Sequence, residues 1–126
     1  ERTYVQAQLL GQALLNSVRL FEGRCIYTVI TREMFRKFQA RPDDLEGIVE
    51  QLRLTKGVEA AILISETEEG TSKFSFRSKR YMDVNKVAAL CGGGHIRAAG
   101  CTVHGDWNES LKIFLEAIEG QLVADV

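Results

Sequence analysis

No apolar run in this sequence approaches the roughly 18 consecutive residues that mark a membrane-spanning helix. The N-terminal ERTYVQAQLL lacks the basic-then-apolar order of a secretory signal. It begins on Glu1 rather than on methionine, which reads as a piece of a longer protein with sequence upstream. Cysteine is sparse. Cys25, Cys91 and Cys101 are an odd number, and no C-x-x-C occurs. That speaks against a disulfide framework and points to a reducing, cytoplasmic setting. Common nucleotide and hydrolase signatures are missing too. There is no GxxxxGK[ST] and no GxSxG, and Gly92-x-Gly94 leads to Arg97 where GxGxxG needs a third glycine. The histidines and aspartates are scattered rather than grouped for acid–base work.

What remains is an ordinary globular composition. The 126 residues are 45% hydrophobic, enough for one domain with its own core. Apolar rows Val5-Leu9-Ala13 and Leu10-Leu14-Val18 predict an amphipathic helix over residues 2–20, with Gly23 as its stop. CIYTVI, residues 25–30, reads as a strand. Thr31 is placed to cap a short helix carrying Phe35 and Phe38. Pro42, Asp43 and Asp44 suit the first turn of a further helix, with Leu45, Ile48, Val49 and Leu52 as its buried stripe. VEAAILIS, residues 58–65, is apolar enough for a central strand. A polar turn over residues 66–71 joins it to KFSFRSK, residues 73–79. There strict alternation sends Phe74 and Phe76 to one face and Lys73, Ser75, Arg77 and Lys79 to the other. Asp83 suits the cap of a helix carrying Val84, Val87, Ala88 and Cys91. After the glycines come a short strand over residues 101–105 and a last helix. Asp106 and Glu109 form a capping pattern for that helix, which buries Leu111, Phe114, Leu115, Ile118 and Leu122. This order predicts an α+β fold, a mixed sheet with one hairpin and flanking helices.

Charge is distributed unevenly. From Lys73 to Arg97 six lysines and arginines stand against Asp83 alone, so this segment carries +5 while the whole chain carries −1. The basic segment contains LCGGGHIRAAG, residues 90–100. Gly92, Gly93 and Gly94 weaken any regular element. Two readings are open. Successive bare N–H groups can form an anion nest beside His95 and Arg97, with phosphate as the ligand. Alternatively the glycines make a tight turn into the next strand. Cys91, His95, Cys101 and His104 read C-x3-H-x5-C-x2-H, which matches none of the usual zinc templates.

GGGHIRAAG together with FSFRSKRYMDVNKVA, residues 74–88, resembles the DHH-associated C-terminal domain of the DHH phosphoesterases. Asp83-Val84-Asn85 and GRCIYTVIT, residues 23–31, are most similar to the branch of nanoRNases and pAp phosphatases. Cys91 stands where the family has the first of four glycines. The resemblance implies a division of the chain into residues 1–22, a linker helix toward a missing N-terminal DHH domain, and residues 23–126, the substrate-binding domain. It implies that manganese sits in the missing domain and that this piece, with no Asp-His-His triplet, carries no cofactor and no catalysis. The implied site is Ser75, Arg77, Gly92, Gly93, Gly94, His95 and Arg97, holding short single-stranded RNA or a nucleotide phosphate. The implied partners are the protein's own DHH domain and a second copy in a homodimer. Related readings are a cyclic-dinucleotide phosphodiesterase, a RecJ-like exonuclease, or a stand-alone nucleic-acid-binding module.

Overall fold

Thr3 starts the first helix. Its hydroxyl accepts the N–H of Gln6 at 3.1 Å, and the Gln6 side chain accepts the N–H of Thr3 at 3.0 Å. This reciprocal box opens α1 (Tyr4–Leu15) in a computed structural model that describes residues 1–68 and 70–123. The helix is shorter than its periodicity predicts. Ser17 donates its hydroxyl to the Leu14 carbonyl at 2.7 Å, a side-chain bond that competes with helix continuation. Val18–Leu20 then forms β1, antiparallel to β2 (Cys25–Ile30). Gly23, with φ +80°, belongs to the turn between these strands and does not stop the helix. Leu9 and Ala13 are fully buried, so α1 is part of this domain's own packing.

Thr31 caps α2 (Arg32–Phe38) as expected, accepting the Met34 N–H at 3.1 Å. The next helix is split. A 3-10 turn (Pro42–Leu45) and α3 (Ile48–Arg53) are separated at Gly47, whose φ of +90° breaks the helical run. Strands β3 (Ala60–Glu66) and β4 (Thr71–Ser78) form the expected hairpin; Glu69 in its turn lies outside the described residues. Asp83 caps α4 (Val84–Ala88), which ends before Cys91. The glycine triplet is itself a strand, β5 (Gly92–Gly94), antiparallel to β6 (Ala98–His104). Asp106 accepts the Asn108 N–H at 3.0 Å at the start of α5 (Trp107–Val123), whereas Glu109 pairs with Lys112 at 3.4 Å.

The six strands run in the order β1-β2-β3-β4-β6-β5, and only β2 and β3 are parallel. The mixed α+β architecture read from the sequence is the observed one. On one face Phe74 and Phe76 meet Phe114 of α5 edge-on, at 4.9 and 5.0 Å between ring centres. Val84, Val87 and Ala88 of α4 join that core. On the other face Ile26, Ile30, Ala61 and Leu63 are covered by residues of α1, α2 and α3. That cover stops at β4. Beyond it Lys73 and Thr102 are exposed, and Ser75, Arg77 and Gly100 are half-buried.

The cysteines correct the sequence reading. Cys91 and Cys101 form a disulfide across the β5–β6 edge, with 5.4 Å between their Cα atoms. The strand pairing brings together two residues that spacing alone does not link. Cys25 is left as a buried thiol, its pKa pushed up to about 12 by burial. Protein unfolded under non-reducing conditions should therefore titrate one thiol with Ellman's reagent, and three after reduction. Three before reduction would show that the bond does not form.

Candidate phosphate and nucleotide site

The register of the open half-sheet sets side chains in rows. Arg77 pairs with Ala98, and Ala98 exchanges backbone hydrogen bonds with His95 at 2.7 and 3.2 Å. Ser75 pairs with Gly100, and Gly100 with Gly93. Lys73 pairs with Thr102. Residues opposite one another in a ladder share a face. Neighbouring strands are about 4.8 Å apart, so Arg77 and His95 stand roughly 10 Å apart with only Ala98 between them. Gly93, Gly100 and Ala98 thus form a floor of small residues, bordered by Arg77 and Ser75 on one side and on the other by His95 and by Asn85, whose Oδ1 lies 2.8 Å from where a Gly93 Cβ would stand.

The glycines do not form the expected cradle of three donors. Gly94 donates its N–H to Asn85 Oδ1 at 2.8 Å, and His95 donates to the Ala98 carbonyl at 2.7 Å. Gly93, two residues before the hydrogen-bonded His95–Ala98 pair, takes the next hydrogen-bonded position opposite Gly100. The N–H groups of Gly92 and Gly94 both point away from β6, and of the two only that of Gly92 has no acceptor among the described residues. The triplet has a packing role as well. A Cβ on Gly92 would collide with the Gly100 carbonyl, one on Gly94 would lie 2.8 Å from the Ala98 carbonyl, and one on Gly93 would lie 2.8 Å from Asn85 Oδ1.

Arg77 is held sideways. Its Nη1 donates to the Phe76 carbonyl at 2.9 Å, and its Nε lies 3.5 Å from Glu50 Oε1. Among the described residues its Nη2 has no partner. His95 is exposed, and its Nδ1 accepts the Arg97 N–H at 3.2 Å, which leaves Nε2–H as the donor in the neutral ring.

Arg97 lies apart from this group. Its Nη1 donates to the Met82 carbonyl at 2.6 Å and to Ser78 Oγ at 3.4 Å, and its Nη2 donates to the Arg80 carbonyl. The guanidinium is committed to the loop after β4, so it does not reach outward for phosphate. Lys79 likewise turns away, donating Nζ to the Thr55 carbonyl at 3.2 Å.

The other anchor of that loop escaped sequence reasoning. Glu59 is buried, and its Oε2 accepts the N–H groups of Arg80, Tyr81 and Met82 at 3.0, 2.9 and 3.0 Å, with Lys79 at 3.3 Å. Loop 79–82 is therefore gripped by its amides through Glu59 and by two carbonyls through Arg97. It fixes the end of the strand that carries Arg77. The available signal was slight: one acidic residue at the head of an apolar run.

An α+β domain that leaves half of one sheet face open, with cations beside a floor of small residues, is the class of protein this geometry defines. The DHHA1 domain family matches residues 22–124, and the chain belongs to that family. The chain is 28% identical over 117 residues to the bifunctional oligoribonuclease and PAP phosphatase NrnA of Thermus thermophilus, covering 91% of this chain and 34% of that protein. An exopolyphosphatase-related protein from Bacteroides fragilis superposes with a TM-score of 0.86 at 29% identity, over 95% of this chain and 36% of its own. The pGpG-specific phosphodiesterase PggH from Vibrio cholerae shares the fold, with a TM-score of 0.61 at 15% identity over 96% of this chain and 40% of its own. The chain thus spans little more than a third of the length of these relatives.

Proposed function

We propose that this chain is the substrate-holding domain of a manganese-dependent DHH phosphoesterase that degrades very short single-stranded RNA and dephosphorylates pAp. The observation that carries the reading is the placing of Arg77, Ser75 and His95 around the Gly93–Gly100–Ala98 floor in a chain related to NrnA. Arg77 holds a phosphate through its outward Nη2, and the Ser75 hydroxyl donates a second bond. Gly92 offers one backbone N–H. His95 donates from Nε2 or stacks on a base. The floor lets the sugar-phosphate backbone approach the strands closely.

Hydrolysis belongs to a preceding DHH domain. Among the described residues no three His, Cys, Asp or Glu side chains converge on a point where a metal ion would fit. The metals, which activate water and neutralise the phosphoester, belong to that other domain, and a homodimer of the whole protein brings two such clefts together. No helix among the described residues is long and apolar enough to cross a membrane. A short-RNA substrate fits a cytoplasmic protein; in that reducing setting the Cys91–Cys101 bond is expected to open, and the count of one free thiol applies to the air-oxidised protein.

The test is titration of this chain against a 3′-labelled RNA trimer bearing a 5′-phosphate, which carries three phosphate groups, at several salt concentrations. About three phosphate contacts predict a slope of log K against log[salt] of roughly −2, since each contact on a single strand contributes about −0.7. No cleavage is expected with or without added manganese. A slope near zero, or manganese-dependent turnover that co-purifies with the chain, would overturn the assignment.

A further inference from the structure

A cleft of about 910 Å³ runs between α2, the 3-10 turn, α3 and the β3–β4 face. It opens onto the row of Ser75 and Arg77, which line its sheet side. Its volume suits a ligand the size of a mononucleotide. Phe35, Leu45, Val49 and Leu63 give it an apolar wall. Among the described lining residues four cations are matched by four carboxylates, so a run of phosphates would gain little net attraction inside it. The part of a ligand that suits this interior is planar, uncharged and apolar on its faces.

The carboxylates narrow the chemistry further. Glu50 is engaged by Arg53 at 3.0 Å and Arg77 at 3.5 Å. Glu66 accepts the Arg32 N–H and the Trp107 indole N–H, each at 3.0 Å. The Glu46 and Glu68 side chains are both exposed, and neither has a hydrogen-bond or ion-pair partner among the described residues. Glu46 stands beside Leu45 of the apolar wall, whereas Glu68 lies in the β3–β4 turn, so Glu46 is the carboxylate placed at the edge of a base lying on that wall. An ionised carboxylate only accepts hydrogen bonds. It therefore favours a base edge with two adjacent donors, which guanine offers at N1 and at its exocyclic amine. Adenine presents one donor beside an acceptor.

We propose that this cleft is a nucleobase pocket selective for guanine, with Phe35 as the stacking surface and Glu46 as the reader of the base edge. It receives the base of the nucleotide whose phosphate lies on Arg77, and so it rests on the reading of the sheet face as a phosphate site. The experiment is calorimetric titration of the protein with GMP, AMP and ribose 5-phosphate. GMP should bind about tenfold more tightly than ribose 5-phosphate, the order expected of one base stacked on an aromatic ring. AMP should fall between them. Glu46→Gln, at an exposed position, should erase the difference between GMP and AMP and leave ribose 5-phosphate unchanged. Phe35→Leu, which keeps an apolar side chain in the wall, should weaken both nucleotides equally and spare ribose 5-phosphate. Equal binding of ribose 5-phosphate and GMP would overturn the pocket while leaving the phosphate site standing. A GMP preference that survives Glu46→Gln would overturn Glu46 as the reader. Failure of all three ligands to bind would overturn the phosphate site, and the pocket with it.

Discussion

Glu59→Ala is expected to lower the stability of this protein by about 3–5 kcal/mol, since several amides lose a shared charged acceptor and each buried donor left unsatisfied costs about 1–3 kcal/mol. Glu59 is only 5% exposed, and no ion pair with a cation neutralises it among the described residues. Its charge is satisfied by the amides of residues 79–82 instead. Alanine would leave those donors facing a void, at that cost for each one that water cannot reach. The losses are not additive, because the loop can open and rehydrate. A domain of this size has roughly 5–15 kcal/mol of stability in total, so the variant would lose a large share of it. Glu59→Gln keeps one acceptor oxygen but points an NH2 group at the remaining N–H donors, and should fall between alanine and the native residue. Urea unfolding followed by circular dichroism measures both. A change below about 1 kcal/mol for alanine would show that water already satisfies the loop, since surface substitutions typically stay within about 0.5 kcal/mol. The loss should extend to ligand binding, because the loop fixes the end of β4 just beyond Arg77.

Glu59 also marks where sequence reading reaches its limit. Strands β2, β3 and β4 were legible because period-two patterns and apolar runs are local signals. Thr31 was legible as a cap because its partner Met34 lies three residues away. The bonds from Glu59 to residues 79–82 and from Asn85 to Gly94 join side chains to distant backbone, and no spacing rule announces them. The helix predicted over residues 2–20 failed for a related reason. Val18–Leu20 has an apolar pattern that fits either element, and pairing with β2 decides between them. Gly47 looked like one more residue in a helical stripe, yet its left-handed backbone divides that stripe in two. Glycine disfavours strands, so the triplet by itself predicts a nest or a tight turn, whereas close contact with β6 is what requires glycine here. Within the site, alternation alone placed Ser75 and Arg77 on the polar face. Arg97 carried no sign that its guanidinium would turn inward to carbonyl oxygens.

Arg77→Ala should weaken binding of a short RNA by roughly ten- to hundredfold, with little change in melting temperature. A charge-assisted hydrogen bond contributes about 1.5–3 kcal/mol, which corresponds to that range. Two features of the site push the value upward. The guanidinium is already oriented by the Phe76 carbonyl and by Glu50, so little freedom is lost when its outward edge meets a phosphate. Its removal also exposes the Glu50 carboxylate to the ligand, which adds repulsion. Glu50→Gln in the Arg77→Ala background should therefore recover part of the loss. Arg77→Lys should behave more like alanine than like arginine, because an ammonium keeps the charge but not the planar fork. Lys73 is the control within the same strand. It is exposed and has no partner among the described residues, so Lys73→Ala should cost only a few-fold in affinity. Its signature is a salt slope flattened by about 0.7, the contribution of one phosphate on a single strand. Fluorescence anisotropy with a labelled RNA trimer, repeated at several salt concentrations, reads affinity and slope together. Equal losses for Arg77→Ala and Lys73→Ala would mean that the ligand feels only diffuse charge, and the row of Arg77, Ala98 and His95 would not be the binding site.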